Sequence, residues 1–172
     1  MSMTEQANFL AAWQQETQST MKLLQALPAS QYDFRPDAGG RSLGELAWHL
    51  AEIDGYISEG VASRRFDFSL KLPGLERPRS VAALAEGYAR VHAQAVARIA
   101  ELSPADFDRP VPFMGRDIRA GELLWSMLLM HLIHHRGQLA LMCRLAGGLT
   151  PGLYGPNREA TAAMQAGAPA KN

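Results

Sequence analysis

The sequence predicts an all-α protein, a four-helix bundle with one long crossover connection. Three observations carry that prediction. Four segments space their apolar residues at helical intervals. Proline- and glycine-rich stretches separate them. The 172-residue chain, 47% hydrophobic and 20% charged, also has enough apolar material to enclose a core.

The first helix is expected from about Thr4 to Leu27, with Leu10, Trp13, Met21 and Leu24 facing one way, and it stops at "LPASQYDFRPDAGG". Ser42 then reads as an N-cap, with Glu45 three residues on completing a capping box. The second helix runs from there to about Arg64 on a stripe of Leu43, Leu46, Leu50, Ile53, Ile57 and Val61. After the linker "FDFSLKLPGLERPRS", Ser80 is read as the cap of a third helix reaching about Leu102. Its stripe is Val81, Leu84, Tyr88, Val91, Ala95 and Ile99. The segment "SPADFDRPVPFMGRDIRAGE" alternates around a central Met-Gly, as a short irregular hairpin or extended crossover does. A fourth helix, about Ala120 to Ala146, ends at Gly147-Gly148. The whole chain, 1–172, is read as one domain, with a partly disordered tail over about 159–172.

Acidic and basic residues number 17 each, so no overall field draws the chain to nucleic acid or anionic lipid, and neither is expected as a partner. The single cysteine, Cys143, allows no internal disulfide and no thiolate zinc cluster. The N-terminus lacks a basic stretch followed by a long apolar one, and the longest apolar run, "LLWSMLLMHLI", is too short to span a bilayer. The expectation is a soluble, cytoplasmic protein with a small-molecule substrate.

The chemistry lies in "MHLIHHRGQLALM", which sets His131, His134 and His135 into an apolar helix. At about 100° per residue from Leu124, His131 falls at about 340° and His135 at about 20°, inside the inward stripe, with His134 on its shoulder. Two imidazoles at i and i+4 form a familiar chelating pair, and bundle interiors are a recurrent place to build metal sites from facing helices. A third ligand is open between His49 on the second helix and His92 on the third, each at an edge of its stripe. Cys143 lies away from the pair and reads as a small buried hydrophobe, and Arg136 as one half of a structural ion pair or a dimer contact.

"HLIHHRGQL" resembles the His-x-x-x-His-Arg-Gly-Gln pattern on the last helix of the DinB/YfiT-like family of small metalloenzymes. "RSLGELAWHLAEIDGYI", with a histidine early in the second helix, and the closing "GGLTPGLYGP" extend the resemblance from about Leu27 to Pro156. By that resemblance the metal ligands are His49, His131 and His135. It further implies a four-helix bundle with a long crossover and a homodimer. The wheel leaves Leu123, Met127, Met130 and Ile133 outside the inward stripe as a candidate dimer face.

Three neutral imidazoles suit zinc, nickel or iron(II) and leave coordination positions open, the catalytic style of zinc site. Glu45, Glu52, Tyr56 and Gln138 are the candidates to support the ligand rings or line the pocket. The resemblance favours a metal-dependent transferase moving a low-molecular-weight thiol. A metal-dependent hydrolase and a non-enzymatic stress-associated metal- or ligand-binding protein are the alternatives.

Overall fold

The computed structural model describes residues 3–167. Its long helices are α1 (Glu5–Gln25), α2 (Leu43–Ser63), α3 (Leu84–Ala100) and a composite last helix. That last helix opens as α5 (Ala120–Leu123), continues as a π-helical stretch (Leu124–Met130) and ends as α6 (His131–Leu145). Short α4 (Pro104–Asp108) and the hairpin β1 (Pro110–Phe113) and β2 (Arg116–Arg119) lie in the crossover, and α7 (Arg158–Gly167) closes the described chain. Both α1 and α2 pack against α3 and against the last helix, so the four form a ring in the order α1, α3, α2, last helix. This is the all-α bundle that the periodicity predicts.

Local chemistry sets the boundaries. Thr4 caps α1 through its side chain, which accepts from Ala7 N. Ser42 and Glu45 form the expected capping box at α2: Glu45 N donates to Ser42 Oγ at 3.2 Å, and Ser42 N to Glu45 Oε2 at 2.8 Å. All six residues of the α2 stripe and all six of the α3 stripe are buried. The linker between those helices is pinned to the bundle by Trp48 Nε1 donating to Leu75 O and Tyr32 Oη donating to Pro78 O. Gly44 is required under Tyr32, where a Cβ would meet the ring at 2.2 Å.

The structure departs from the sequence reading at three of these boundaries and again within the last helix. Ser80 precedes a 3₁₀ turn (Val81–Ala83) and its side chain makes no capping bond. The crossover begins with α4, capped where Ser103 N donates to Asp106 Oδ2, before the hairpin forms. The hairpin itself turns on Met114 and Gly115, as the central Met-Gly predicts, with both at positive φ. The segment after Asn157, expected to be a loose tail, is helical as far as Gly167, because Asn157 Oδ1 caps Ala160 N and Glu159 pairs with Arg144. Residues 168–172, the end of that predicted tail, lie outside the described residues.

The largest departure is rotational. The i→i+5 closure of a π-turn winds the chain less per residue than an α-turn, so seven such residues set α6 back by roughly a quarter turn. Leu132, Arg136, Leu139 and Cys143, spread over about 60–120° on an uninterrupted wheel, thereby come to the centre of the buried face. All four are buried. His131 and His135 move from that centre to its edge and are half-buried, while His134 is exposed. Most of the surface expected as a dimer face is covered within the bundle. Leu123 is fully buried, Met127 and Ile133 are partly buried, and only Met130 of that set stays exposed.

Among the described residues no helix is long and apolar enough to cross a membrane.

Candidate metal centre

His49 comes from the second turn of α2, and His131 and His135 from the first two turns of α6, where those helices pack together. Their potential ligand atoms all lie within 4.8 Å of one another. The Nε2 atoms of His131 and His135 are 2.8 Å apart, and the His49 ring stands 5.8 Å and 4.7 Å from theirs, centroid to centroid. His92 lies elsewhere. Its Nδ1 meets the fully buried Asp54 at 2.8 Å, and Trp13 Nε1 donates to the other oxygen of the same carboxylate.

Two of the three rings are held by acceptor oxygens. His49 Nδ1 donates to Glu52 Oε2 at 2.9 Å, and His135 Nδ1 donates to Gln138 Oε1 at 2.7 Å. The Glu52 carboxylate fixes the Nδ1–H tautomer of His49, and Gln138, with its amide oxygen turned to the ring, selects the same tautomer of His135, leaving a lone pair on each Nε2. Tyr56 lines the adjoining cleft and donates to Leu70 O. Glu45 touches none of the histidines, because its carboxylate serves the capping box and pairs with Arg35 and Arg77.

His131 is the frustrated member. Its Nδ1 is buried and makes no hydrogen bond of ordinary geometry, although the Met127 carbonyl one turn back lies near enough to act on it. With the proton on Nδ1, the ring suits that carbonyl but points a lone pair at the lone pair of His135 across 2.8 Å. With the proton on Nε2, it satisfies His135 but buries a bare Nδ1 beside a carbonyl oxygen. A cation on the lone pairs removes the conflict, so the donor set fits a divalent ion. Burial, followed by the charge His49 can carry, holds His131 below the usual histidine range, and burial above all pushes His135 down to about 4. Both rings are therefore neutral near pH 7, the form that binds metal.

A cavity of about 320 Å³ opens on this cluster, lined by His49 and His131 and otherwise mainly by Ile53, Tyr56, Ile57, Phe68, Phe113 and Met127. Phe68 and Phe113 come from the two connecting segments that helical periodicity cannot place. Arg136 points the other way. It is 1% exposed and held by Glu16 and Tyr154, a structural ion pair as its place in the motif suggests. Cys143 is fully buried, and burial raises its thiol pKa, as befits an inert packing residue.

A helical bundle with three convergent imidazoles on two facing helices, open to a cleft, defines the class. The DinB superfamily profile matches residues 12–139, and the chain belongs to that family. It is 29% identical over 155 residues to the Bacillus subtilis (strain 168) protein YrdA, covering 88% of this chain and 89% of that one. A solved DinB-like protein from Bacillus cereus ATCC 10987 superposes with a TM-score of 0.71 at 30% identity, covering 85% of this chain and 95% of its own. The DinB-like protein YjoA from Bacillus subtilis superposes at 0.69 over 87% of this chain and 99% of its own. At 18% identity that likeness speaks for the fold alone.

Proposed function

We propose that the chain is a divalent-metal-dependent enzyme whose ion is held by His49, His131 and His135, and that it transfers a low-molecular-weight thiol to a small electrophile. The observation that carries the metal reading is the 2.8 Å approach of His131 and His135 Nε2, with His49 closing the group. Three protein ligands leave room for substrate, and an ion there supplies Lewis acidity that keeps a thiol or water deprotonated. Glu52 and Gln138 orient the rings, and the cleft walls exclude water from the reacting groups. In the transfer the thiolate sulfur forms a C–S bond, the leaving group departs with the bonding pair, and the thiol proton passes to solvent.

The test is elemental analysis of the purified full chain beside His131→Ala and His92→Ala. Stoichiometric zinc, nickel or iron in the parent and in His92→Ala, with loss in His131→Ala, is expected. Loss in His92→Ala with retention in His131→Ala overturns the ligand set. Conjugate formation with a panel of thiols and a generic electrophile supports transfer. Ester hydrolysis without conjugation reverses the choice in favour of a hydrolase.

A homodimer belongs to the same proposal, through a different face from the one the helical wheel suggests. Met130, Leu141 and Leu145 share the outer side of the last helix and are each more than half exposed. Leu141→Glu should halve the mass measured by light scattering, and an unchanged mass would remove this face from consideration.

A further inference from the structure

We propose that the histidine cluster serves two ligands held in hollows of opposite character: a neutral, largely apolar acceptor beside Phe68 and the hairpin, and an anionic co-substrate paired with Arg41. The proposal rests on the metal reading above and adds the chemistry of what binds on each side. The first hollow is the cleft of about 320 Å³, at the small end of ordinary ligand sites, which run roughly 300–1,000 Å³. It suits a substituted aromatic ring and excludes a peptide. Apart from the two histidines and the Tyr56 hydroxyl, its polar wall residue is Glu52, whose carboxylate is turned onto His49 Nδ1. No Lys or Arg lines it, and away from the histidines its walls are mainly apolar, so an anionic acceptor would lose its hydration along most of its length without a counter-charge. A neutral acceptor avoids that loss.

The second hollow lies across Glu52, which forms a wall of both. Arg41, Glu45 and Arg77 line it, and Arg41 also borders a neighbouring depression with Gln138, the residue that orients His135. Arg35 and Arg77 are both paired with Glu45, at 2.8 Å and 3.3 Å. Arg41 is exposed and has no ion pair among the described residues. A free guanidinium beside the groups that hold two ligand imidazoles is placed to take a carboxylate, in a two-pronged hydrogen bond if the fork is free. Neither depression beside Arg41 is itself lined by a histidine, so a molecule with a thiol and a carboxylate a few bonds apart would keep its charge on Arg41 and extend its sulfur past Glu52 or Gln138 toward the cluster. The acceptor approaches from the other side.

Two probes on the full chain test the halves separately. The neutral fluorophore N-phenyl-1-naphthylamine reports the cleft without any metal. Phe68→Ser, at an exposed loop position that leaves the core intact, and Met127→Glu should each weaken its binding about tenfold, while Arg41→Gln leaves it within about twofold. On the cobalt(II)-loaded chain, sulfur-to-cobalt charge-transfer absorption reports thiol binding. Mercaptosuccinate should bind about tenfold more tightly than 2-mercaptoethanol, and Arg41→Gln should bring the two to parity. Fluorophore binding indifferent to both cleft variants overturns the acceptor half, and a thiol preference that survives Arg41→Gln overturns the co-substrate half. Failure of the parent to bind cobalt at all overturns the metal reading and the Arg41 half with it, while the fluorophore still decides the cleft.

Discussion

His131 and His135 hold their Nε2 atoms 2.8 Å apart although neither neutral tautomer of His131 satisfies both of its nitrogens. Such a contact stores unfavourable lone-pair repulsion or an unpaired buried nitrogen until a cation occupies the space between the rings. Binding of such an ion would therefore be linked to folding, since the separated rings of an unfolded chain offer no such site. Zinc at a hundredfold excess over its dissociation constant should stabilise the chain by about 2.7 kcal/mol. For a domain of this size that raises the melting temperature by roughly 5–10 °C. A chelator should reverse the shift in the parent and do nothing to His135→Ala. Equal melting temperatures with and without zinc would contradict the prediction.

Glu52 and Gln138 each accept a hydrogen bond from the Nδ1 of a proposed ligand ring, on the side away from the cluster. Partners of that kind fix tautomer and ring angle and add basicity, so removing one lowers metal affinity without removing a ligand. Glu52→Leu and Gln138→Leu should each weaken zinc about 10- to 100-fold in a competition titration with a chromophoric chelator. Glu45→Leu tests the contrast. Its carboxylate caps α2 and binds two arginines, so it should lower thermal stability while shifting zinc affinity less than about threefold.

The stripes of α2 and α3 are legible because the α-helical period holds through both helices, and only Val81, in the 3₁₀ turn before α3, falls outside it while still being buried. The last helix changes period inside itself. Leu124–Met130 is as apolar as an α-helical core segment, and nothing in its composition announces π-turns, so a wheel anchored on Leu124 rotates everything downstream. Spacing still kept His131 and His135 together, since i and i+4 within α6 do not depend on the phase. His49 was chosen over His92 by family likeness, because a helix wheel says which face a residue occupies and not which helix stands opposite. Arg41 and Phe68 sit in irregular chain, where no period exists to place them, and Phe113 ends a four-residue strand whose alternation does not say what it faces.

Arg144 and Glu159 join α7 to the last helix by two parallel bonds of 2.7 Å each. No residue of α7 is buried, so this pair and the Asn157 cap are its anchors. The Arg144 guanidinium pulls the Glu159 carboxyl from its ordinary 4.5 down to about 2. A depressed folded-state pKa means that the stabilisation is present above pH 4.5 and is lost as pH falls toward 2. Hydrogen exchange over residues 158–167 should therefore be slow at neutral pH and accelerate relative to the core below about pH 3. Glu159→Gln should show the fast pattern at every pH. Exchange in this segment that is unaffected by the substitution would show that the ion pair does not hold the helix.

Arg136 lies one residue beyond a proposed metal ligand, yet its guanidinium faces the bundle interior, pairing with Glu16 and Tyr154 and donating to Glu16 O at 2.7 Å. A charge this deeply buried tolerates replacement of the whole arrangement better than loss of one partner. Glu16→Ala leaves a guanidinium without its counter-charge and should cost about 3–5 kcal/mol in urea unfolding. Arg136→Met fills the same space with an apolar chain and should cost less than Glu16→Ala, because the Glu16 carboxylate it leaves is 13% exposed and keeps the Tyr154 hydroxyl as a donor. Combining the two should restore part of the loss, since the stranded charge is gone. Because the site histidines are held by Glu52 and Gln138 and not by this pair, the folded variants should keep their zinc. Full metal loss in a folded Arg136→Met protein would instead make this residue a positioning element of the metal centre.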